Sequence, residues 1–214
     1  MRTHPRLAVL IGTAALSVTL AACGSTASPG AASTPHSTSA SAPVTAAHNT
    51  ADVSFAQNMI VHHHGAIEMA KLAATRASSQ QVKDLGARID ATQTPEITEM
   101  TSWLTAWGQP AAPTETSMPG MDPSSPSMSS GSMSAGGAMG LMTDAQMSQL
   151  TAANGPAFDR LFLRLMTIHH KGAIAMAGTE QAKGSSPQAV ALARAIATSQ
   201  TAEVTQMSAI LQSL

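Results

Sequence analysis

The chain has 214 residues, 43% hydrophobic and 11% charged, which suffices for one compact domain with tails and makes a second core improbable. Its formal charge of −1, its 2% aromatic content and its lack of tyrosine argue against a basic or base-stacking surface for nucleic acid. Methionine is the outlier, with 14 residues, far more than core filling needs.

The N-terminus reads as an export signal. Arg2 and Arg6 precede an apolar run from Leu7 to Leu20, too short for a membrane span and fitting for a signal h-region. The run ends in Leu20-Ala21-Ala22-Cys23, which resembles the lipobox of bacterial lipoprotein leaders. That resemblance implies that residues 1–23 are a signal peptide with its lipobox, that Cys23 is lipidated, and that the product is held at a membrane. Cys23 is the sole cysteine, so it forms no internal disulfide and, once lipidated, offers no thiolate to a metal. Residues 24–49 are Ser, Thr, Ala and Pro with almost no large apolar side chains, the composition of a disordered tether. Its His36 and His48 are expected to be solvated.

The folded domain is expected over residues 50–214. Its first helix is predicted to start at Asn49 or Thr50 and to run to about Arg76. At 3.6 residues per turn Phe55, Met59, His62, Ala66, Met69 and Ala73 share one stripe, and Ile60, His63, Ile67 and Ala70 share the next, so both His62 and His63 face inward. His64 lies about 200° round from His62 and points to water. A second helix follows Ser78-Ser79-Gln80-Gln81, where a Ser-x-x-Gln capping box is expected, and carries Ile89, Gln93, Glu96, Met100, Trp103 and Trp107. Glu96 within such a stripe needs a proton, a cation or a metal, because an unpaired buried carboxylate is costly. Pro95 predicts a kink.

Residues 108–142 are rich in Pro, Gly, Ser and Met, and read as a disordered linker. Its Met118, Met121, Met128, Met133, Met139 and Met142 are either compositional drift or soft-metal donors. A short helix from Thr143 to about Ala153 ends at Asn154-Gly155, and Pro156 can start the next long helix.

From there the first half returns. At an offset of 107 residues, segment 159–214 lies over segment 52–107 without a gap, and 21 of 56 positions are identical. Val61-His62-His63-His64-Gly65-Ala66-Ile67 becomes Ile168-His169-His170-Lys171-Gly172-Ala173-Ile174, and Ser185-Ser186-Pro187-Gln188 opens the last helix with a second Ser-x-x-Gln. The copies share polar or soft-donor residues inside apolar stripes: Met59/Met166, His62/His169, His63/His170, Met69/Met176, Gln93/Gln200, Glu96/Glu203 and Met100/Met207. His64 and Glu68 drop out of that set, since Lys171 and Ala175 stand opposite them. Two helices cannot cover each other's apolar stripes, whereas four can, so the fold class is all-α, an antiparallel four-helix bundle of two tandem helical hairpins.

Thioether and imidazole donors without thiolates suit Cu(I), and imidazole with carboxylate can hold Cu(II) or another transition metal. On these grounds Met59, His62, His63, Met69, Glu96 and Met100, with Met166, His169, His170, Met176, Glu203 and Met207, are the candidate metal ligands. No residue is assigned a catalytic role.

The doubled Met-x-x-His-His-x-x-Ala-Ile-x-Met-Ala pattern (with Gly65 and Gly172 inside it) and the later Gln-x-x-Glu-[Ile/Val]-x-x-Met resemble the domain-of-unknown-function family numbered 305, a ferritin-like group of exported bacterial proteins. Some members of that family bind copper in the periplasm, so the resemblance implies copper handling, carried by Met59, His62, His63 and Met69 and by Met166, His169, His170 and Met176. His64 and Lys171 depart from the pattern, where Gln is common, and Pro95 departs in the second helix. The expected function is a non-enzymatic, exported lipoprotein that sequesters copper or passes it to a chaperone or exporter, at the outer face of the membrane or in the periplasm. A ferritin-like oxidase is the alternative, though the Glu-x-x-His pairs of di-iron bundles are missing. A cell-surface interaction module with a buried polar network is the third reading.

Overall fold

The computed structural model describes residues 46–111 and 139–214. The leader with Cys23, the tether as far as residue 45, and the linker methionines Met118, Met121, Met128 and Met133 lie outside the described residues. Five helices occupy the rest: α1 (Thr50–Arg76), α2 (Gln80–Ala106), the short α3 (Asp144–Ala152), α4 (Gly155–Lys183) and α5 (Pro187–Ser213). Among the described residues no helix is long and apolar enough to cross a membrane.

Local chemistry sets the boundaries. Asn49 caps α1 by accepting from the backbone N–H groups of Ala51 and Asp52, and Asp52 accepts in return from Asn49 N–H at 2.6 Å. Thr143 and Gln146 close a capping box on α3. Gly155, at φ +60°, makes the turn into α4 that a side chain would strain, and Pro156 follows in the first turn. Pro95 stands inside α2 without ending it.

The two hairpins, α1–α2 and α4–α5, meet chiefly through α1 and α4. These two run antiparallel, as their ends show. Asp52, near the start of α1, accepts from the backbone N–H groups of Ser185 (3.0 Å) and Ser186 (2.9 Å), just past the end of α4. Asp159, its counterpart in the second copy, accepts from Ser78 N–H (3.1 Å) and Ser79 N–H (3.0 Å), just past the end of α1, and from the Ser78 hydroxyl. The second helix of each hairpin is therefore capped by a carboxylate from the other hairpin. This corrects the expected Ser-x-x-Gln boxes: Ser79, the residue preceding α2, makes no side-chain capping bond, and on α5 only Ser186 does so, accepting from Ala189 N–H. A carboxylate beats a neutral hydroxyl at a helix N-terminus, because it meets the exposed N–H groups and the positive end of the dipole together.

The interior is layered. One apolar cluster joins Met69, Ala73, Leu85, Ile89, Phe158, Phe162, Met166 and Met207; another joins Phe55, Met59, Met100, Trp103, Leu104, Ala177, Ala193 and Ile196. Every long helix places a buried polar residue between the two: His62 and His63 on α1, Gln93 on α2, His169 and His170 on α4, Gln200 on α5. Each cluster contributes about 1.5–3 kcal/mol per large side chain buried, so a polar layer can be held between them. His48 also departs from expectation. It is half-buried and stacks on Trp107 at 4.6 Å between ring centroids, because the tether's last residues turn back over the end of α2.

Candidate metal centre

The polar layer holds four imidazoles, none more than 1% exposed. Spacing alone makes each copy present two adjacent histidines to the interior, and the antiparallel α1–α4 contact brings the copies face to face. His62 and His169 meet across that contact with ring centroids 3.6 Å apart at 45°. His63 and His170 flank them. Within each hairpin the next helix supplies a carboxylate: His63 Nε2–H donates to Glu96 at 2.7 Å, and His170 Nε2–H donates to Glu203 at 2.6 Å. The buried-carboxylate problem posed by Glu96 and Glu203 is thus answered by histidine, with both carboxylates still partly open to water.

These bonds fix tautomers. A ring that donates from Nε2 keeps its lone pair on Nδ1, and the Nδ1 atoms of His63 and His170 are buried without a hydrogen-bond partner. His62 donates from Nε2 to the Met139 carbonyl at 3.1 Å, so its unpartnered Nδ1 carries the lone pair too. His169 has no partner at either nitrogen. Burial, reinforced by the neighbouring His63 and His170, drives the His62 pKa down to about 3, and burial with the adjacent imidazoles holds His169 well below its usual value. Both rings are neutral at pH 7. An unmade hydrogen bond on a buried polar atom costs about 1–3 kcal/mol, so five such nitrogens in one layer, of which His169 can offer a lone pair from only one of its two, form a set of donors available to a ligand.

The methionines are partitioned. Met69, Met166 and Met207 lie in or against one apolar cluster, and Met59, Met100 and Met176 in or against the other, three on each side of the imidazoles. The duplication dictates this, since each set maps onto the other under the 107-residue offset. Met176 is half-buried, whereas the other five are fully buried. Among the described residues no three His, Cys, Asp or Glu converge closely enough to hold an ion between them. His64 and Glu68 are exposed, as the helical geometry predicts.

A DUF305 family profile, described as a domain of unknown function, matches residues 52–211. The chain belongs to the DUF305 family. Solved DUF305 structures share its architecture: a protein of Streptomyces coelicolor is 28% identical at a TM-score of 0.65, over 76% of this chain and 93% of that one. A fragment from Deinococcus radiodurans is also 28% identical at 0.65, over 78% and 98%. CopM in its Cu(II)-bound form is 32% identical at 0.60, over 76% and 96%, and CopM has also been solved with Cu(I) and with silver. No curated protein matches.

Some residues that shape this DUF305 site escaped the sequence reading. Asp52 and Asp159, which lock the two hairpins together, are the first identical pair of the duplication and could have been found there. Glu180 and Gly140 leave no such trace, and Met139, named in the sequence for its thioether, acts on His62 through its backbone carbonyl. Glu180 is buried beside Asp52 where the first copy has Ala73, and burial together with the Asp52 carboxylate pushes its pKa up to about 8.

Proposed function

We propose that this chain is a copper-binding protein of the cell envelope, anchored through Cys23, which holds the ion for sequestration, tolerance or transfer to a chaperone or exporter and catalyses no reaction. The observation that carries this reading is the doubled carboxylate–imidazole pair. A histidine that ligates a metal commonly gives its other N–H to a carboxylate, which orients the ring and raises its basicity. His63 with Glu96 and His170 with Glu203 are built this way, with Nδ1 left bare. Neutral His62 and His169 between them add imidazole donors that need lose no proton to bind. The thioethers of Met59, Met69, Met100, Met166, Met176 and Met207 are soft, do not titrate and suit Cu(I) in particular. CopM, a relative solved with copper and with silver, supports the choice of metal, and the Streptomyces coelicolor relative, named a secreted protein, supports export.

The test is copper stoichiometry and affinity on purified, reduced protein. Tight Cu(I) binding is expected, weakened at least tenfold in His62→Ala/His169→Ala. Equal binding by the variant would reject the imidazole layer as the site. A metal-loaded sample whose melting temperature does not respond to chelator would favour a purely structural network.

A further inference from the structure

The duplication makes two equivalent mouths on the face where α1 and α4 meet, and the chain has finished them differently. At Gly172 the mouth is closed. The backbone of Met139 and Gly140 lies on α4, so a Cβ on Gly172 would run into the Met139 carbonyl, and one on Gly140, at φ +72°, would stand 2.7 Å from the Ile168 carbonyl. That same Met139 carbonyl occupies Nε2 of His62. Lys171 and Ala175 flank this mouth and offer a soft cation nothing.

At Gly65, the same position in the first copy, a pocket of about 360 Å³ remains, with His64, Glu68, Met142, Asp144, Met147 and His169 among its walls. His169 is 1% exposed, its Nε2 has no hydrogen-bond partner, and a Cβ on Gly65 would stand 3.3 Å from that nitrogen. A buried imidazole nitrogen without a partner therefore faces the one gap a glycine leaves in α1. The opposite wall belongs to α3. With Thr143 as its N-cap, Met142 and Met147 occupy the positions before the cap and at the fourth helical residue, which pair as a hydrophobic staple and so lie side by side. Both are half-buried against the core. Any two apolar residues would serve a staple; two methionines beside two imidazoles also make a ligand set.

We propose that this pocket is a binding site for a soft monovalent cation, Cu(I) or Ag(I), with His169 Nε2 as its buried ligand and His64, Met142 and Met147 as its outer ligands. The site rests on the copper reading above and deepens it, since it places a ligand set where the imidazole layer reaches the surface. Thioether and imidazole select the soft ion, while the Glu68 and Asp144 carboxylates on the walls raise the local concentration of cations. The duplicated chain then has one open site of this kind, since the other mouth is filled by its own backbone.

Titration of the full-length protein with Cu(I) under reducing conditions, against a chromophoric chelator, tests it. His64→Ala/Met142→Leu/Met147→Leu, which keeps the staple apolar, is expected to lower affinity at least tenfold and to remove one equivalent. In wild-type protein carrying ¹³C-methyl methionine, Ag(I) is expected to shift the Met142 and Met147 signals first. A triple variant that binds like wild type, with those methyl signals unmoved while His63→Ala/His170→Ala loses binding, overturns the pocket and leaves the copper reading standing. No Cu(I) binding by wild type overturns both.

Discussion

The two ends of the bundle are built on one device and differ in what surrounds it. At one end Asp159 accepts from Ser78 and Ser79, and at the other Asp52 accepts from Ser185 and Ser186. Only the second end carries another carboxyl, Glu180, buried where the first copy has Ala73. Burial alone would raise the Asp52 pKa, but the neighbouring Glu180 carboxyl and the hydrogen bonds from the backbone of Asn49, Ser186 and Ser185 outweigh it and hold Asp52 below its usual value. A protonated Glu180 can donate to ionised Asp52, whereas two ionised carboxyls there repel. Duplication kept the capping carboxylate because both hairpins need it, and left the residue beside it free to diverge.

The sharpest way to break the comparison is Asp159→Ala. It leaves the Ser78 and Ser79 N–H groups without their acceptor, and a loss of about 3 kcal/mol in chemical denaturation is expected. Asp52→Ala removes the matching acceptor from Ser185 and Ser186 and also the one from Asn49 N–H, but it relieves Glu180 of a like charge, so its cost is expected to shrink as pH rises toward 8 while that of Asp159→Ala does not. Costs with the same pH dependence would mean that Glu180 does not sense Asp52.

The pH dependence of stability comes next. Glu180 ionises near pH 8 in the folded chain against 4.5 for the free group, so the folded state binds the extra proton and stability falls as pH rises through that window. His62, at about 3 against 6.5, and His169, shifted the same way, act oppositely: the unfolded chain binds more protons below pH 6.5, so stability falls as pH drops. Metal-free protein should therefore be most stable near pH 6.5, with Glu180→Gln flattening the alkaline limb and steepening the acid limb above pH 4.5, and His169→Gln reducing the acid limb alone. Thermal melts from pH 4 to 9 read both.

The glycines give a smaller contrast. Gly172→Ala should cost about 1–3 kcal/mol, since the Met139 backbone must move, whereas Gly65→Ala meets only the His169 ring at 3.3 Å and should cost less. The smallest effect is expected from Glu96→Gln and Glu203→Gln, which keep a hydrogen bond and should each weaken copper binding about tenfold through loss of the oriented, more basic imidazole. Unequal effects would show that the copies no longer share the load.

Much of this was legible in the chain. The helix limits, inward-facing His62, His63, His169 and His170, and outward-facing His64 and Glu68 follow from helical periodicity and caps, which are local. The partner of Glu96 was not legible, because a stripe says that a carboxylate is buried but not which side chain of another helix it meets. The Ser-x-x-Gln boxes misled for the same reason: a local motif was outcompeted by a charge from a residue 80 or more positions away.

Sequence by itself determined that two copies of a His-His and Met helix pair share one all-α bundle, since periodicity and repetition are properties of the string. Tertiary structure alone decided that Asp52 and Asp159 cap across the repeats, that Glu180 presses on one of them, and that Met139 seals one imidazole while Gly65 exposes another. These are contacts between distant segments, and their strength depends on burial and distance, which exist only once the helices have packed.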